Sequence, residues 1–122
     1  LLLFNIDVSP IPVSFDPALF QAHDALDAVG LCVYDVEGQP DTLVFRDSLE
    51  GMALYRTYLH EVGHALGLGH TERGIMSRRQ YAASDLSSKW PSLAQRRRWC
   101  HEIAVSFLRH RLKVWGQHAQ KI

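Results

Sequence analysis

The chain has 122 residues, 47% hydrophobic and 21% charged, with a formal net charge of zero. That size fits one domain with a modest core, and that balance fits an ordinary globular protein rather than a disordered or low-complexity chain. No apolar run approaches the ~20 residues that span a bilayer. Two cysteines, Cys32 and Cys100, make neither a disulfide framework nor a four-thiolate zinc site, so both are expected to be buried free thiols.

The opening LLLF is too short for a signal-peptide core and lacks its basic start. The chain starts at Leu1 rather than Met, as a trimmed or excised piece would, and the compartment stays open. Residues 1–8 read as a first strand and 11–15, IPVSF, as a second, with Pro12 confining it to a sheet edge or a strand start. Asp16 and Pro17 make a helix start, Leu19, Ala22, His23, Leu26 and Val29 recur at helical spacing, and Gly30 is placed to end that helix. Leu31 to Val36 and Thr42 to Phe45 read as strands around the turn EGQPD. Asp35, Glu37 and Asp41 read there as a solvated turn rather than a calcium site. A long helix is expected from Ser48–Gly51 to Gly67, then a structured loop to residue 91. A last helix starts at Ser92, in a capping box with Gln95, with an apolar stripe of Cys100, Ile103, Ala104, Phe107, Leu108 and Leu112.

Charge is uneven along the chain. Residues 1–71 hold ten acids and two basic residues, and residues 72–122 hold three acids and eleven. Mutual attraction of the two halves in one fold accounts for this. No aromatic-interleaved basic motif or reader signature accompanies the charge, so nucleic acid is the lesser partner reading.

HEVGHALGLGH, residues 60–70, carries the chemistry. On a helix, residues four apart stand one above the other, so His60 and His64 can aim two nitrogens at one point about 2.0–2.1 Å from a metal. Neutral imidazole suits zinc, and catalytic zinc sites use three protein ligands. Glu61 points to one side of the pair, where it can reach a water bound to the metal without binding the metal itself. His70 can supply the third ligand only if the chain turns sharply, which Gly67 permits by accepting positive φ. The expected chemistry is attack by a zinc-bound water, with Glu61 as the base that takes its proton.

HEVGHALGLGH matches HExxHxxGxxH, the metzincin signature. Met76, within GIMS, looks like the methionine of the Met-turn that metzincins place beneath the metal. The wording over residues 52–77 is most similar to matrixin-like and other small metzincins. Arg78 stands where astacin-like and serralysin-like members carry a metal-ligating tyrosine. The resemblance implies a compact α+β zincin-like fold: a small mixed sheet, a backing helix, an active-site helix, a Met-turn loop and a C-terminal helix. It implies one domain over 1–122, with sheet and active-site helix in 1–69 and Met-turn and last helix in 70–122. It also implies one catalytic Zn2+ on His60, His64 and His70, with Glu61 as catalytic residue, Gly67 as the turn and Met76 as packing support. The expected substrate is an extended peptide or protein added to an edge strand, Thr42 to Phe45, and a monomer is the expected state. Two other readings stay open: a zinc-stabilised module that captures peptides without cutting them, and a nucleic-acid-associated protein using the basic C-terminal half.

Overall fold

The computed structural model describes residues 10–78 and 88–120, with 117–120 described by backbone only. The first strand expected at 1–8 and most of the loop beyond Arg78 lie outside the described residues.

The described elements are β1 (Val13–Ser14), α1 (Ala18–Ala22), β2 (Gly30–Tyr34), β3 (Pro40–Phe45), α2 (Gly51–Ala65) and α3 (Leu93–Gln120). The strands form one mixed sheet in the order β1-β3-β2, with β1 parallel and β2 antiparallel to β3. The expectation that Thr42 to Phe45 is an edge strand is therefore corrected. β3 is central, flanked on both sides, and its Leu43, Val44 and Phe45 are buried as a central strand's residues must be. Among the described residues the outer strands are β1, which starts just after Pro12, and β2. The turn joining β2 to β3 is organised by Asp35, whose carboxylate accepts the backbone N–H groups of Glu37 and Gln39.

The helix expected to run from Pro17 to Gly30 is also shorter than its periodicity suggests. Asp16 accepts the N–H of Ala18 through its side chain, and α1 ends at Ala22. Asp24 then turns left-handed at φ 55°. The carbonyls of Leu26 and Ala28, which a continuing helix would use internally, instead accept hydrogen bonds from the Arg46 guanidinium. The same guanidinium lies 3.7 Å from the ring centre of the fully buried Phe20. A long-range cation thus overrides the local helical pattern, and Gly30 opens β2 instead of closing a helix.

α2 is covered on two sides. Leu54, Val62 and Ala65 pack against a cluster of Cys32, Leu43 and Phe45 on the sheet. Leu59, with Tyr55 and Leu66, packs against Leu68, Ile75, Met76 and Ile103. Successive helical residues are about 100° apart, so these two faces leave a third direction for His60 and His64. Ser92 accepts the Gln95 N–H at the start of α3, while the Gln95 side chain accepts from Arg98 instead of closing the box. The stripe expected on α3 is only partly used. Ile103 is buried, whereas Cys100, Ala104, Leu108 and Leu112 are exposed. α2 has 15 residues and α3 has 28, so α3 is about 20 Å longer, and His110 on α3 still reaches Gly67 just past the end of α2. Cys100 is exposed beside the Tyr55 hydroxyl, and Cys32 alone is a buried thiol. No helix among the described residues is long and apolar enough to cross a membrane.

Candidate metal centre

The end of α2 builds the turn that the ligand spacing requires. Gly67 takes φ +92°, the left-handed conformation in which a side chain would be strained. Its N–H donates to the His64 carbonyl and the Leu68 N–H donates to the Gly63 carbonyl, the double closure of a Schellman cap. The Tyr34 hydroxyl, from β2, donates to the same His64 carbonyl at 2.7 Å. The cap places the Leu68 carbonyl where His64 Nδ1 donates to it at 2.8 Å. The chain then folds back through a bridge between Thr71 and Ser77, and the Thr71 N–H donates to the Met76 carbonyl. That loop brings Ile75 over α2, where its carbonyl accepts from His60 Nδ1 at 2.6 Å.

Three ring nitrogens converge as a result. Nε2 of His60 lies 3.2 Å from Nε2 of His64 and 3.3 Å from Nε2 of His70, and the His64–His70 pair is 3.1 Å apart. A carbonyl can only accept, so His60 and His64 each carry their proton on Nδ1 and turn a lone pair inward. Two lone pairs at 3.2 Å repel unless a cation, or a proton donated by the third ring, lies between them. Corners of a tetrahedron centred on zinc with ligands at 2.0–2.1 Å stand about 3.3–3.4 Å apart, so the observed triangle fits such an ion closely. The carbonyls behind two of the rings are the partners that fix imidazole tautomers in metal sites. His60, His64 and His70 thus form a group that could hold a metal ion.

Residues 56–99 match the Metallopep family model, described as "Putative peptidase family". The match spans the whole ligand stretch and the start of α3, short of half the chain. No curated protein and no solved structure matches. Together the family match and the histidine triad are consistent with a metallopeptidase.

Glu61, the residue after His60, is 3% exposed. Burial alone pushes its carboxyl up to about 7, into the range where a base works at neutral pH. The room for it comes from Gly30: a Cβ there would stand 3.2 Å from Glu61 Cγ and Oε1 and 2.6 Å from Thr57 Cγ2. Gly30 is a site-shaping residue that periodicity misassigned, because its partner lies on another element. Two of the three imidazoles, those of His60 and His70, are disfavoured in the charged form. Burial, followed by the neighbouring imidazoles and Arg56, lowers the pKa of His60, and burial with His64 and Arg78 lowers that of His70.

Met76 is 3% exposed and packs under the ligand helix in the cluster with Leu59, Leu68, Ile75 and Ile103. Its sulfur lies so close to Gly63 that a Cβ at Gly63 would collide with it. Glycine in a helix interior costs about 1 kcal/mol relative to alanine, a sequence signal that something needs the space. Gly63→Ala is therefore expected to destabilise the protein by about 1–3 kcal/mol despite its better helix propensity. Met76→Leu, which roughly conserves volume, should cost under ~1.5 kcal/mol and leave activity within about tenfold. Thermal unfolding of both variants at matched metal content checks the order of the two effects.

Glu102, on α3, was not singled out by its sequence position. Its Oε2 accepts the Ile75 N–H at 2.6 Å, and the Ile75 carbonyl on the far side of that residue holds His60. α3 thereby fixes the loop that fixes a ligand. Loss of such an outer support typically costs roughly 10–100-fold in metal affinity, so Glu102→Ala should weaken metal binding by about tenfold or more. A competition titration with a fluorescent chelator measures this, with Glu102→Gln as the milder variant that keeps an acceptor.

His70 differs from the other two ligands. It is exposed, and its Nδ1 stands 3.1 Å from Arg78 Nε; the ring accepts a hydrogen bond there only with its own proton on Nε2, so this contact opens when Nε2 binds an ion. Arg78, noted in the sequence only as a missing tyrosine, stands directly behind the third ligand.

Proposed function

We propose that this chain is a zinc-dependent endopeptidase of metzincin type, with a zincin-like α+β fold and Glu61 as its general base. The observation that carries the reading is the convergence of three imidazole Nε2 atoms within 3.1–3.3 Å, with a desolvated glutamate one residue from the first of them. His60, His64 and His70 would hold the ion, and Gly67 supplies the turn that brings the third into range. When bound, zinc supplies a Lewis acid for the scissile carbonyl and lowers the pKa of water toward 7. Glu61 takes the proton of the attacking water on a carboxylate oxygen and hands it to the departing amine. Its burial keeps bulk water from stabilising the carboxylate, which makes it a stronger base.

The substrate in this reading is an extended peptide, and it adds to β2 rather than to β3. Support comes from β2 ending the sheet among the described residues and lying along α2, with Gly30 against Glu61 and Tyr34 against the His64 carbonyl. Main-chain hydrogen bonds to an outer strand hold a peptide extended without demanding a particular sequence. The test is incubation of the zinc-loaded protein with a diverse peptide pool and mapping of cuts by mass spectrometry. Internal cuts that disappear with a chelator are expected. Cuts that persist without metal would contradict the reading, and binding without any cut would favour a peptide-capturing module.

A further inference from the structure

Arg78 lies against a metal ligand, and it does not lie there alone. An open cavity of about 660 Å³ beside His70 is lined by Thr71, Glu72, Arg73, Ser77 and Arg78. Among the described residues the wall carries two guanidinium groups and one carboxylate, a net positive charge. The hydroxyls of Thr71 and Ser77 are committed to the loop, donating to the carbonyls of Arg73 and Glu72. What the wall offers a ligand is therefore guanidinium. Arg78 Nε stands 3.1 Å from His70 Nδ1; with an ion on His70 Nε2 that contact is open, and the fork geometry of arginine offers Nε–H and Nη–H together to a planar anion.

We propose that this cavity is a subsite for a carboxylate of the bound peptide, held by Arg78 with support from Arg73, so that acidic peptides are preferred. The proposal rests on the peptidase reading for the word substrate, but the subsite itself is a property of the Thr71–Arg78 loop. Arg78 touches a ligand of the ion, so a carboxylate it holds sits within one or two residues of the bond that is cut. The carboxylate could belong to an aspartate or glutamate side chain or to the peptide's C-terminus. The side chain is the favoured source, because the cavity is open and need not end the peptide.

The test uses zinc-loaded Glu61→Gln, so that binding is read without turnover. Acetylated alanine-based hexapeptides carry Asp, Asn or Lys at each position in turn, each made with an amidated and with a free C-terminus, and affinities are measured by calorimetry; the Asp and Asn comparison uses the amidated set. At one position Asp should bind at least about tenfold tighter than Asn, as one charge-assisted contact allows. That preference should vanish with Arg78→Gln, persist in part with Arg78→Lys and give way to a Lys preference with Arg78→Glu. Ratios between peptides are the readout, so a general loosening of His70 does not imitate the result. Equal affinity for Asp and Asn peptides at every position, or a preference unchanged by Arg78→Gln, would overturn the proposal. If only peptides with a free C-terminus gain affinity through Arg78, the subsite stands and the source of the carboxylate is the chain end. Cleavage of the same peptides by the parent separates the two claims. Cuts without acidic preference sink the subsite alone, and Arg78-dependent acidic binding with no cut by the parent upholds the subsite and sinks the peptidase reading.

Discussion

Glu61→Gln should cleave peptides at least ~100-fold more slowly than the parent while holding the same zinc, because loss of a general base typically costs 10²–10⁴-fold. Glutamine keeps the shape of the side chain in the pocket between Gly30, Thr57 and the helix. It cannot take a proton from water. The three histidines remain, two of them held by carbonyls, so metal affinity should change little. Rates at matched zinc occupancy decide this. A variant that cuts as fast as the parent would remove Glu61 from the mechanism.

The same substitution should have an opposite effect on the metal-free protein, where it stabilises. The Glu61 carboxyl is raised by burial from 4.5 to about 7. Between those values the native state binds more protons at this group than the unfolded chain does, so its contribution to stability falls as pH rises through the window. A shift of that size corresponds to about 3 kcal/mol of stability, fully present below about pH 4.5 and lost by about pH 8. His60 and His70, lowered by burial, run the other way, their native-state charging cost being felt only as pH falls. They are common to parent and variant and cancel in the difference. Denaturant unfolding in the presence of chelator at pH 4.5, 6 and 8 should show Glu61→Gln gaining on the parent with each step. Parallel curves at all three values would mean that burial does not raise this carboxyl. A cation held by the three histidines would favour the charged form of Glu61 and so offset the cost of burying it.

The triad was legible from sequence because everything that builds it is local. Helical spacing aligns His60 with His64, and one glycine in the left-handed region, Gly67, brings His70 round. Met76 was legible only through a family resemblance, since nothing in its spacing reports that its sulfur presses on Gly63. The supports behind the ligands were not legible. Glu102 reaches Ile75 across 27 residues, and Gly30 shapes the pocket of Glu61 from another strand. Period and propensity report which face of an element is apolar, not which residue will meet it. The same limit explains the fold. Helical periodicity continues past the end of α1 at Ala22, but it carries no trace of Arg46, which bonds two carbonyls of the segment beyond. Periodicity marks a whole apolar stripe on α3 as core, whereas of Cys100, Ile103, Ala104, Leu108 and Leu112 only Ile103 meets a buried cluster.

The central claim is that one zinc ion on His60, His64 and His70 makes this chain a peptidase, and a metal titration of cleavage tests it most directly. Protein stripped by chelator is supplied with zinc in fractional equivalents, and the initial rate on a peptide cut by the parent is followed. The rate should rise from background in proportion to zinc and level off at about one equivalent per chain, as coupled ligand and fold require. The His70→Ala protein should stay at background throughout the same range. Full cleavage by the stripped protein, or a parent-like rise in His70→Ala, would contradict the account.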